Sequence, residues 1–272
     1  QGYSSAASDV YKRQDYSDYD EMVDKYNRLN EIWDELIDKK SEYIEMSYGS
    51  EAAKAGQEAL DLAQKSLESY KRLGKERLNS GGSTGSNSIG VRIRKSMSQY
   101  EWDQWDEFAR SIGMDPNDIG YRMNEIFSLT ADQLERLKEM APDFWAKLTA
   151  DESVAEYLDK IIEGGERIEE INQQIQEQLT QVSFDSMRDS FYDTLLDMES
   201  DSQDFADDFS AYLQKAILMT NLTDAYDKRL QAWYEKFANY NKEGGINTDE
   251  YKDLQEEWNK IVEDALAERD AL

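Results

Sequence analysis

Cysteine and histidine are both missing from the 272 residues. Their absence removes disulfides, thiolate nucleophiles, the usual zinc ligand sets and the side chain most used for acid–base work near neutral pH. Proline is nearly missing as well, with only Pro116 and Pro142 present. Since proline costs ~3 kcal/mol inside a helix, long stretches free of it permit long helices. Cations are scarce: 31 Lys and Arg stand against 59 Asp and Glu, a formal net charge of -28. A charge of that sign repels phosphate backbones and anionic headgroups, which argues against nucleic-acid or membrane-surface binding through a general basic face. No long apolar run occurs either. The longest uninterrupted aliphatic stretch is Ala216-Ile217-Leu218-Met219, far below the ~20 residues of a membrane-spanning helix, so no transmembrane segment is expected.

What remains is charge interleaved with apolar stripes. Charged residues make up 33% of the chain and mean hydropathy is -0.86, yet large apolar residues recur at helical spacing, unlike a disordered acidic chain. The pattern predicts an all-α protein: a long helical hairpin or coiled-coil-like rods with a small central helical bundle, elongated overall. Residues 15–78 read as the hairpin. Met22, Tyr26, Leu29, Trp33, Leu36 and Tyr43 step by four and three with a polar interruption at Lys40, and Gly49-Ser50 separates them from a second helix carrying Leu60, Ala63, Leu67, Tyr70 and Leu78. So short a turn predicts antiparallel helices, each on the order of 40 Å long. Residues 79–97 read as a linker, Gly/Ser-rich from Asn79 to Ser88 and then carrying Arg92, Arg94 and Lys95. The spacing of a phosphate-binding loop is absent there and no apolar strand precedes it, so nucleotide binding is not expected.

Residues 98–150 read as a small helical domain. Ser98 with Glu101 and Thr130 with Gln133 have capping-box spacing, and Asp115-Pro116 marks a third helix start. Trp102, Trp105, Phe108, Ile112, Phe127, Leu134, Leu137, Phe144, Trp145 and Leu148 are its expected core. Residues 151–272 read as long helices and a C-terminal helix-loop-helix. One helix runs from Ser153 to Val182, with Gly164-Gly165 marking a bend or a close helix contact, and its stripe of Ile168, Ile171, Ile175, Leu179 and Val182 forms a second seam. Both seams are expected to mediate self-association.

One constellation has metal-binding spacing. Asn239 to Glu250 has the length of an EF-hand loop, with Asn239, Asn241, Glu243, Asn247 and Glu250 at oxygen-ligand positions and Gly244 at the sharp turn. Calcium is the ion such a loop would take. Asn replaces Asp at the first position, the fifth carries a long Glu, and no second hand is visible. The plainer reading is preferred: a helix stops at Gly244-Gly245 and another starts with Asn247 or Thr248 as cap and Glu250 in its first turn. No cofactor is expected. Carboxylate pairs such as Asp207-Asp208 or Glu256-Glu257 carry little information in so acidic a chain, and no catalytic residue is assigned. An enzyme is not expected.

Four stretches carry a resemblance: Ile32-Trp33-Asp34-Glu35-Leu36-Ile37-Asp38-Lys39-Lys40, Lys75-Glu76-Arg77-Leu78-Asn79-Ser80-Gly81, Ala141-Pro142-Asp143-Phe144-Trp145-Ala146-Lys147-Leu148 and Ser183-Phe184-Asp185-Ser186-Met187-Arg188-Asp189-Ser190-Phe191. They resemble the C-terminal region of phage tail tape-measure proteins, nearest to those of Bacteroides-type prophages, over most of residues 15–272. The resemblance implies a structural virion-assembly protein that helps set tail length, resident in the virion tail and in the host cytoplasm during assembly. Its partners would be itself and tail-tube or tail-tip proteins. The chain would then be one end of a longer ruler, since even fully helical it would span only on the order of 400 Å. The alternatives are a cytoplasmic helical adaptor or scaffold and, behind it, a calcium-responsive helical module. Residues 1–14 are set apart from this reading. The chain starts at Gln1 without an initiator Met, and Asp9-Val10-Tyr11-Lys12-Arg13-Gln14 is similar to a translated sequencing adapter, GAT GTG TAT AAG AGA CAG, so an artefact or a disordered terminus is expected there.

Overall fold

A computed structural model of the chain describes residues 3–47, 49–82, 87–197, 208–242 and 244–271. Among them are α-helices and two short 3-10 helices and no strand: α1 (Tyr3–Met46), α2 (Gly49–Asn79), α3 (Ile89–Ser96), α4 (Gln99–Ser111), 3-10 helices at Pro116–Ile119 and Asn124–Ser128, α5 (Ala131–Met140), α6 (Pro142–Leu148), α7 (Glu152–Thr180), α8 (Phe184–Asp197), α9 (Asp208–Tyr240) and α10 (Thr248–Ala271). Helix α1 begins ahead of Gln14, so the backbone of the adapter-like stretch is helical from Tyr3. The expected linker is shorter than residues 79–97, because α3 lies inside that range. Ser88 caps it by accepting from the Val91 amide, and Ile89, Val91 and Ile93 are buried.

The chain divides into two compact units, and the division falls within α1, α2 and α7. The first comprises Gln1–Lys39 with Ala59–Glu170. In it, α1 and α2 run antiparallel: Ser69 Oγ donates to Asn30 Oδ1 at 2.8 Å, and the Arg72 and Arg77 guanidinium groups lie 5.9 and 5.5 Å from the Tyr26 and Tyr19 ring centroids. Helix α7 lies against both. Arg167 reaches Asp34 at 3.0 Å and also Asp38, Tyr19 and Tyr157 share a hydroxyl hydrogen bond of 2.7 Å, and Arg77 holds Asp151 through two nitrogens at 3.2 and 3.0 Å. The Asp151 carboxyl is partly desolvated, which opposes ionisation, but the Arg77 hydrogen bond and the Val154 amide outweigh this and hold it below the usual carboxylate range.

Both expected capping boxes form, at Ser98/Glu101 and Thr130/Gln133, and Asp115-Pro116 opens a 3-10 helix. The central aromatic residues pack as their spacing suggests. Trp105, Phe108, Phe127, Leu134, Leu137, Phe144, Trp145 and Leu148 are buried and Trp102 and Ile112 partly so, in one core that also takes Leu67, Leu73 and Leu78 from α2 and Tyr157, Leu158 and Ile161 from α7. The middle of the chain is thus packed together with the α1–α2 hairpin and α7.

Helix α7 continues through Gly164-Gly165, and close packing explains the second of the two. A Cβ on Gly165 would stand 2.3 Å from Ala131 Cβ at the start of α5, whereas one on Gly164 would meet Leu67 at an ordinary 3.6 Å. The seam on α1 lies one residue off its expected register after Trp33. Leu36 and Tyr43 are exposed, at 39% and 47%, while Ile37 and Ile44 are buried. The inward-facing series Tyr26, Asn30, Trp33, Ile37, Lys40, Ile44 contains two polar members that pair across the helices, Asn30 through its Oδ1 with Ser69, and Lys40 with Glu58.

The second unit comprises Lys40–Glu58 with Ile171–Leu272. Its α8, α9 and α10 form an antiparallel bundle around Phe191, Tyr192, Leu195, Leu230, Tyr234, Ile261 and Ala265. Ile171, Ile175 and Leu179 of the expected second seam are buried in this unit, Ile175 against Gly56.

Candidate functional site

The turn between α9 and α10 places its five candidate ligands in structural roles where they are described. Asn239 sits in the last turn of α9, and Glu243 lies outside the described residues. The Asn241 side-chain amide donates to the Leu179 carbonyl at 2.6 Å. Asn247 is the cap of α10: its Oδ1 accepts from the Glu250 amide at 2.8 Å, which puts Glu250 at the third helical position. Gly244 and Gly245 have φ of 101° and 114°, values open to glycine and costly for other residues. Among the described residues no group of three or more Asp and Glu side chains gathers for a metal.

Next to this turn lies a charge cluster that sequence reading missed. Lys236 bridges Glu257 at 3.0 Å and also Asp253, while Tyr240 donates to Asp253 at 2.7 Å. Hydrogen bonds from Lys236 and then Tyr240 hold the Asp253 carboxyl below its ordinary value, and the same carboxylates push the Lys236 ammonium up. The separation of these residues by one turn of α9 and one of α10 was readable only once the two helices were known to be antiparallel. The cluster fastens the last helix pair.

A second feature lies wholly in the first unit. Between α1 and α2, capped at one end by the 3-10 helix Asn124–Ser128, runs an open groove of about 710 Å³. Tyr26 and Trp33 form one wall, Lys65, Lys71, Arg72 and Lys75 the other, with Phe127 at the end and Glu68 as the one carboxylate. Phe127 can sit there because α2 has no side chain at Gly74, where a Cβ would fall 2.2 Å from the ring. Among the described residues none of the four cations is ion-paired; Arg72 stacks on Tyr26 instead. A local net charge of this sign is unusual on a chain carrying -28 overall. Its signal in the sequence was the run Lys71, Arg72, Lys75, Arg77, but only the antiparallel pairing brings Tyr26 and Trp33 beside it.

No family model, curated protein or solved structure matches the chain. Fold and site therefore define a class: an all-α protein of two compact helical units, one bearing a basic aromatic groove. Among the described residues no helix is long and apolar enough to cross a membrane.

Proposed function

We propose that the chain is the C-terminal part of a phage tail tape-measure protein, a structural component that helps set tail length and organise tail assembly. The observation that carries this reading is the extent of uninterrupted helix. Helices α2, α7 and α9 run for 31, 29 and 33 residues. At ~1.5 Å per residue each converts chain length into roughly 45 Å of fixed distance, which is the property a ruler needs. The four stretches that resemble the family lie on α1, α2, the α6 region and α8, so the likeness runs through both units. In this reading the role is structural and not catalytic, and the protein acts in the host cytoplasm during assembly and in the finished tail.

The partners are tail-tube or tail-tip proteins and further copies of the chain. The heptad seams expected to join copies are largely consumed inside the molecule, so association must use faces left uncovered, such as the basic groove and the outer side of α1. In the phage that encodes it, removing the codons for residues 15–272 and measuring tails by electron microscopy tests the reading. Heads with shortened or missing tails are expected. Tails of unchanged number and length would overturn it.

A further inference from the structure

Around α1, successive residues turn by about 100°, which orders the surface over residues 21–36 into three adjacent bands. Tyr26 and Trp33 border the basic groove. Next comes an apolar band: Leu29 is half-buried, and Leu36 and Ile32 are 39% and 53% exposed. Beyond it stand the exposed carboxylates Glu21, Glu35, Asp24 and Glu31, with the cations Arg28 and Lys39 among them, Lys39 lying 3.1 Å from Glu35. Lys25, on the apolar band, extends to 5.7 Å from the Tyr26 ring centroid and so joins the groove side. An apolar stripe is therefore flanked by cations on one edge and carboxylates on the other.

We infer that this face pairs two copies of the chain about a two-fold axis parallel to α1, each copy's acidic edge meeting its partner's basic groove across Leu29, Ile32 and Leu36. The direction of the axis follows from the asymmetry of the stripe. Rotation about an axis along α1 exchanges the two edges, so cations face carboxylates; an axis across α1 would set groove against groove. The register agrees. Ser69 opposite Asn30 and Arg72 opposite Tyr26 put Lys75 level with Asp24 and Lys65 level with Glu35. The groove's one carboxylate, Glu68, stands within a turn of Arg28 on the acidic edge. Because both halves lie on the same face, one isologous contact satisfies both grooves and closes the assembly at two copies. Charge complementarity also supplies what two chains of net charge -28 need in order to approach, a local attraction within the screening length of ~8 Å.

The inference rests on the assembly reading for its purpose but not for its test, which uses the purified full chain. Sedimentation should show a dimer that weakens as salt rises. The double reversals Lys71→Glu with Lys75→Glu, and Glu31→Lys with Glu35→Lys, should each weaken self-association about tenfold or more at unchanged helicity. Mixed together, the two variants should pair again, because both edges of each copy then meet opposite charge. In a chain without cysteine, Ile32→Cys should give a disulfide-linked dimer on oxidation, since in-register pairing brings Ile32 to its own copy. A strict monomer, a dimer indifferent to both reversals, a dimer that Ile32→Cys fails to link, or a groove that instead takes up a single-stranded oligonucleotide would each overturn the pairing. Unchanged tails in the phage deletion alone would sink the tape-measure reading and leave the dimer standing.

Discussion

Replacing the two adjacent glycines of α7 one at a time should change stability in opposite directions. In a helix interior, Gly to Ala gains about 1 kcal/mol from propensity and from the stiffer unfolded chain. At Gly164 the new methyl meets only Leu67, 3.6 Å away, so nearly the whole gain should survive. At Gly165 it would stand 2.3 Å from Ala131 Cβ, at the first residue of a helix whose position is fixed by the Thr130–Gln133 capping box. Overpacking of that kind costs typically 1–3 kcal/mol, so Gly165→Ala should be neutral to destabilising by up to about 2 kcal/mol. Thermal melts followed by circular dichroism should then show Gly164→Ala raising the first unit's transition by about 2–4 °C and Gly165→Ala failing to raise it. Exchanging the methyl, Gly165→Ala with Ala131→Gly, should recover most of the loss. If Gly165→Ala stabilised as much as Gly164→Ala, α7 would not pack on the start of α5.

Three further outcomes are expected. Asn247→Ala should cost about 1 kcal/mol of stability through the lost α10 cap, with calcium present or absent; calorimetry giving a saturable calcium signal that disappears in Glu250→Ala would instead support the EF-hand reading. Ile171→Asp should cost about 3 kcal/mol or more, because Ile171 is 2% exposed, whereas Leu36→Asp, at a 39% exposed site, should leave the monomer's melt within a few tenths of a kcal/mol. In alkali, burial pushes Tyr157, Tyr192 and Tyr234 upward and Tyr70 to about 12, Tyr70 also by the Asp34 charge. Their folded values lie above the unfolded ones, so this stability is whole below about pH 10 and is lost as pH rises through the folded values. Tyrosinate absorbance should therefore rise in two stages, the later one coinciding with loss of helix, and a single stage near pH 10 with helix retained would refute it.

Local signals were the legible part. Capping boxes at Ser98 and Thr130 and the aromatic spacing of residues 98–150 depend on neighbours three or four positions away, and each formed as read. Register was harder. On α1 the true seam passes through Asn30 and Lys40, and polar residues on a buried stripe hide it until Ser69 and Glu58 are known to lie opposite. The Gly164-Gly165 pair announced a close contact but not with what, since Ala131 is distant in sequence. The basic groove was invisible for the same reason: its two walls are roughly forty residues apart, and only the hairpin's alignment joins them.

Because the boundary between the units cuts α1, α2 and α7, neither unit is a contiguous stretch of chain. The first cannot close until Asp151 and Tyr157 have been synthesised to meet Arg77 and Tyr19, so most of the polypeptide must leave the ribosome before either core is complete. A truncation series would therefore be a poor way to dissect this protein: a cut at the Gly/Ser stretch near residue 82 removes part of both units at once, leaving Leu67, Leu73 and Leu78 without the residues that bury them. Point substitutions on outward faces are the tool that the topology allows.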